Sequence, residues 1–263
     1  MTETHPWRRF VALGDSFTEG IGDPEQQSVG GHRGWADRVA EVLSVSADGE
    51  FSYANLAIRG KLLQEIVDEQ VDPALALNPD LISISAGGND MLRPGTDPDN
   101  CASRVEDGIA RLRRDNATVV MFTGADTGFS PVFRGLRGRI AIYNENLRTI
   151  ALKHDVIIAD MWGLQEIKDV RMWSSDRLHL NALGYHEVAR MVLAALNVPN
   201  ELQPNEPEPL PSVSWQHARS EDLVWARTHL VPWVIRRITH RSSGDGISPK
   251  RPVPVPVVPT SGS

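Results

Sequence analysis

One cysteine, three tyrosines and no apolar run long enough to cross a bilayer occur in these 263 residues. The lone Cys101 excludes an intramolecular disulfide framework and a multi-cysteine zinc site, and it suits a reducing compartment, so a cytoplasmic location is expected. The opening MTETHPWRRF puts acidic Glu3 ahead of any hydrophobic stretch and carries neither the basic nor the apolar region of a secretory leader. No window approaches the roughly 18 apolar residues of a spanning helix. A net charge of -7 argues against a general nucleic-acid binder. Also missing are a G-x-G-x-x-G after the first predicted strand and any G-x-x-x-x-G-K-S/T, which removes the two common nucleotide cradles. The histidines and carboxylates lack ligand spacing, so neither a metal nor a cofactor is expected.

What is present is unevenly spread. Ten of the 18 prolines fall in the last 63 residues, whose charged side chains are seven basic and six acidic. Residues 1–200 hold 20 basic and 28 acidic side chains, so the acidity belongs to that part. This skew divides the chain into a domain over 1–198 and an extension over 199–263. Within the extension, LQPNEPEPLP (202–211) reads as a linker. The segment 220–241, with Trp225, Trp233, Arg236, Arg237 and Arg241, is a short amphipathic element that either packs across its own domain or rests on an anionic membrane. The terminal RPVPVPVVPTSGS reads as extended and disordered.

Before the extension, short β-branched runs alternate with longer amphipathic stretches. Strands are expected at 9–14, 51–57, 81–86, 118–123 and 156–160, and helices near 34–46, 61–77, 99–114, 135–153 and 182–197. Asp99 or Asn100 is the expected cap of the third helix and Asn181 of the last. Five strands alternating with helices predict an α/β fold, a parallel sheet covered on both faces. Ligands in such sheets sit beyond the carboxyl ends of the strands, so polar residues after each strand are the first candidates for chemistry.

Four blocks occupy those places. GDSFTEG (14–20) follows the first strand and sets Ser16 where the chain turns into a helix. NLAIRG (55–60) follows the second and offers the Gly60 N–H. GGND (87–90) follows the third and offers the Asn89 amide. Two such donors together with the Ser16 N–H are what an oxyanion hole requires. DRLHLNALGYHEVA (176–189) lies between the last strand and the last helix. Its Asp176 and His179 can meet so that the carboxylate holds one imidazole nitrogen and the other takes the Ser16 proton. His186, seven residues on, is the weaker competitor for that role. Asp15 and Asp90 suit supporting roles in their turns.

Taken in order, these blocks resemble the SGNH hydrolases of the GDSL esterase/lipase family over about residues 9–197. The resemblance implies Ser16 as nucleophile, His179 as base then acid, and Asp176 as its orienting carboxylate. It also implies Ser16 N–H, Gly60 N–H and the Asn89 side chain as oxyanion donors, and a three-layer flavodoxin-like fold with a five-stranded sheet of order 2-1-3-4-5. A serine hydrolase cleaving carboxylic esters (of short-to-medium acyl chains, lipids or acetylated small molecules) through an acyl-enzyme is therefore expected, with a small-molecule ester as partner. The alternatives are an acyltransferase to a sugar or alcohol and a binding module without chemistry. Phe129, Phe133, Arg134 and Arg137 are expected as a substrate rim with a basic edge, and Met91, Leu92, Met172 and Trp173 as an acyl wall.

Overall fold

In the computed structural model, which describes residues 4–115, 117–209, 224, 225, 227, 228 and 243–257, the five predicted strands form β1 (Arg9–Leu13), β2 (Ser52–Asn55), β3 (Leu81–Ile84), β4 (Thr118–Phe122) and β5 (Ile157–Ala159). All four pairings among them are parallel. Between them run α1 (Ser16–Glu19), α2 (Trp35–Ser46), α3 (Leu63–Ala76), α4 (Gly88–Met91), α5 (Pro98–Leu112), α6 (Arg137–His154) and α7 (Ala182–Ala195). β1 from Phe10 on and all of β3 are buried on both faces because helices cover both. One layer buries Trp35, Val39 and Leu43 of α2 with Tyr185, Val188 and Val192 of α7, around Phe10 and Phe122. The other buries Leu63 and Ile66 of α3, Val105 and Ile109 of α5 and Leu147 of α6 against Val11, Ile82 and Met121. Among the described residues no helix is long and apolar enough to cross a membrane.

The sheet order is β5-β4-β3-β1-β2-β6, which contains the implied 2-1-3-4-5 and adds a strand. That sixth strand corrects the expectation for the chain's end. Arg251–Pro256 is extended, as read from its prolines, but it is not disordered: it pairs antiparallel with β2, Tyr53 opposite Val255 and Asn55 opposite Arg251. Alternation explains how a proline-rich strand can pair. The Val257 N–H donates to Phe51 C=O (3.1 Å), so odd-numbered residues face β2 and Pro252, Pro254 and Pro256 turn their missing N–H outward. Lys250 anchors the strand, its ammonium 2.6 Å from the Asp37 carboxylate and 3.1 Å from the His32 carbonyl. Most of the segment 220–241 lies outside the described residues, and its membrane reading with it.

The cap of α5 is also corrected. Asp97, not Asp99 or Asn100, accepts from the Asp99 N–H, because Pro98 takes the first helical position, where its missing N–H costs nothing. Asn181 caps α7 as expected, accepting from the N–H groups of Leu183 and Gly184.

Candidate active site

Ser16 is the first residue of α1, and the turn ahead of it is pinned from two sides. Gly14 at the end of β1 gives its N–H to the Gln70 side-chain oxygen (2.8 Å) and receives the Gln70 amide on its C=O (2.9 Å), a reciprocal clamp from α3. Asp15 caps α1 by accepting from the Phe17 N–H (3.1 Å). This leaves the Ser16 hydroxyl 2.9 Å from His179 Nε2, with His179 Nδ1 2.6 Å from Asp176 Oδ2. An ionised Asp176 can only accept, so the proton sits on Nδ1 and Nε2 accepts from the serine. The other Asp176 oxygen accepts from the Ser174 hydroxyl and from the N–H groups of Leu178 and His179. Burial works to raise the Asp176 pKa, but the His179 contact and these donors outweigh it and hold the carboxyl well below the usual range. His179 stands close to the nucleophile turn because residue 22 is glycine: a Cβ there would lie 2.2 Å from the Leu180 carbonyl and 2.9 Å from the His179 Cβ.

The three expected oxyanion segments are tied to each other. Asn89 Nδ2 donates to Asp15 Oδ2 and to the Lys61 carbonyl, both at 3.0 Å, so the third block ties the first to the residue that follows the second. Gly60 sits at φ 78, a left-handed turn that favours glycine. Among the described residues neither the Ser16 nor the Gly60 N–H donates to a protein acceptor. Asp90 supports the same corner by accepting from the Leu63 N–H at 2.9 Å, and burial raises its pKa. Burial likewise pushes Asp15 up to about 6, against the pull of the Phe17 N–H and of His179.

Glu19 is a support that motif reading did not single out. Buried in α1, it accepts from the Arg59 N–H (2.7 Å) and also binds the Arg59 guanidinium, so it fixes the residue before Gly60. Its place in GDSFTEG was the available signal, but nothing local says that it reaches forty residues ahead.

A cavity of about 230 Å³ opens beside Ser16, Asn89 and His179, and its walls are mainly apolar. Of the expected acyl wall Met91, Leu92 and Trp173 line it, and of the expected rim Phe133, together with Phe122, Ile140 and Met161, which were not foreseen. Met172 does not line it; the side chain is buried in the α2/α7 layer. Phe129 stands behind the wall, its ring 5.7 Å from Trp173. Arg137 is half exposed, and its guanidinium holds Asp126 at 2.6 and 3.1 Å and lies 5.3 Å over the Trp162 ring. Arg134 is exposed. His186 bonds the Gln203 carbonyl (2.8 Å) on the outer side of α7. Among the described residues no group of three or more His, Cys, Asp or Glu is placed to hold a metal ion.

Ser16, His179 and Asp176 thus stand in line beside an apolar cavity at the carboxyl end of a mostly parallel α/β sheet with helices on both faces. Residues 12–187 match the GDSL-like lipase/acylhydrolase family, and the chain belongs to it. It is similar to the uncharacterized protein YpmR of Bacillus subtilis (strain 168), 25% identical over 225 residues, which cover 74% of this chain and 84% of that one. Its fold is similar to that of the lipase Lip_vut3 from a goat rumen metagenome, with TM-score 0.61 and 20% identity over 72% of this chain and 97% of that one. The acetylxylan esterase Axe2 from Geobacillus stearothermophilus gives TM-score 0.59 and 16% identity over 74% and 96%.

Proposed function

We propose that the protein is a serine esterase that hydrolyses carboxylic esters of short to medium acyl length. The observation that carries this reading is the chain of contacts from Ser16 Oγ through His179 to Asp176, open at its serine end to the apolar cavity. Ser16 Oγ attacks the ester carbonyl as His179 Nε2 takes its proton, and Asp176 stabilises the imidazolium so formed. The Ser16 and Gly60 N–H groups and the Asn89 amide receive the developing oxyanion. Since Asn89 already serves Asp15 and Lys61, the oxyanion must share one of its hydrogens. His179 then protonates the departing alcohol, and a water deprotonated by the same nitrogen releases the acid from Ser16. The lipase and the acetylxylan esterase among proteins of similar fold support an ester as the bond cleaved.

A fluorophosphonate tests this directly. The wild-type chain is expected to be labelled once, with loss of 4-nitrophenyl butyrate hydrolysis, and Ser16→Ala to be neither labelled nor active. A correctly folded wild type that resists labelling would point instead to a ligand-binding module. Acyl transfer to an added sugar or alcohol in preference to water would identify a transferase.

A further inference from the structure

The loop that carries Asp176 and His179 contains an unusual backbone. Arg177, between them, adopts φ 55, in the left-handed region that penalises every residue with a Cβ. Such conformations persist where surrounding contacts hold them, and they concentrate at functional sites. Within the loop, the Arg177 N–H bonds the Ser174 carbonyl and the Ser174 N–H bonds the His179 carbonyl, both at 2.9 Å. From outside the loop comes a contact from the C-terminal extension. The Trp225 indole N–H donates to the Asp176 carbonyl at 3.0 Å, and the Arg177 guanidinium lies 5.0 Å over the Trp225 ring.

The strained torsion lies between these two points of contact. Rotation about the Arg177 N–Cα bond turns the Asp176–Arg177 peptide plane against the rest of Arg177. The indole holds that plane through the Asp176 carbonyl and holds the Arg177 side chain through its face. We propose that Trp225 is a positioning residue for the catalytic loop: it clamps the left-handed turn at Arg177 and so keeps Asp176 aligned with His179. This rests on the esterase reading of Ser16, His179 and Asp176. It makes the extension a working part of the hydrolase, although the family match ends at residue 187.

The test uses the full chain, with fluorophosphonate labelling rate, kcat and KM for 4-nitrophenyl butyrate, and melting temperature as readouts. Trp225→Ala is expected to lower kcat and the labelling rate about tenfold or more, because small misalignments of catalytic groups cost rate steeply, while KM stays within about twofold. Trp225→Phe keeps a ring and loses only the N–H. Its expected loss is about fivefold, and it serves if the alanine variant does not fold. Arg177→Gly added to either variant is expected to restore most of the rate, since glycine holds this torsion without a clamp. Wild-type rates in the Trp225 variants, or a loss that Arg177→Gly does not repair, would overturn the clamp. An unlabelled wild type would overturn the esterase reading and the clamp with it, so the two failures are distinguishable.

Discussion

Ser16, His179 and Asp176 were legible because each stands in a short block whose chemistry is local: a serine after a strand, and a histidine three residues from a carboxylate. The residues that aim them were not. Gln70 clamps Gly14 across 56 positions, and Asn144 does the same for Gly124, giving its amide to the Gly124 carbonyl and accepting the Gly124 N–H. A buried amide that answers both backbone groups of a strand-end glycine has no sequence pattern, since its partner is set by the packing of a helix on the sheet. Glu19 belongs to the same kind. Glu19→Ala is expected to lower kcat for 4-nitrophenyl butyrate between about tenfold and a hundredfold, because the loop before Gly60 loses its anchor and the N–H proposed to receive the oxyanion moves with it. Glu19→Gln still offers the Arg59 N–H an acceptor and is expected to retain most of the rate. A wild-type rate in the alanine variant would show that Gly60 holds its place without this contact.

At the scale of elements, the periodic helices and β-branched strands were readable to within two or three residues, since both sides of each boundary are set by local composition. β6 was missed for an equally physical reason. Alternating prolines forbid a central strand and mimic a solvated polyproline segment, and only an open sheet edge turns them into a pairing strand. Lys250 secures that strand with a nearly buried charge: its side chain is 3% exposed and that of Asp37 8%. Removing one partner of such a pair leaves the other desolvated. Lys250→Ala is expected to destabilise the chain by about 3 kcal/mol in a urea titration. A change below about 1 kcal/mol would mean that Arg251, 3.9 Å from Asp37, takes over the charge.

For the whole molecule, the layered architecture followed from alternation of pattern, whereas the electrostatics of the interior required the fold. Two carboxyls near Ser16 have pKa values shifted in opposite senses. Asp15, pushed up to about 6 from 3.8, takes up a proton on folding, so its contribution improves as pH falls from about 7 towards 4. The lowered pKa of Asp176 stabilises the fold above the ordinary carboxylate range, and that contribution is lost only in stronger acid. Between pH 8 and 5 the Asp15 effect therefore acts alone of the two. Asp15→Asn cannot titrate. The stability of the wild type relative to this variant is expected to rise by about 1–2 kcal/mol on going from pH 8 to pH 5, from unfolding titrations at both. An unchanged difference would return the Asp15 carboxyl to its ordinary range.

The sixth strand also has a consequence in time. Every hydrolase block has been synthesised by residue 189, yet the neighbour that closes the edge at β2 begins only at Arg251. A nascent chain thus holds Ser16, Gly60, Asn89 and His179 while the β2 flank of its sheet still presents unpaired backbone, the kind of edge that recruits foreign strands. Once β6 docks, its outward prolines leave no N–H at those positions for another strand to use. β6 thus closes the β2 flank and caps growth there in one step.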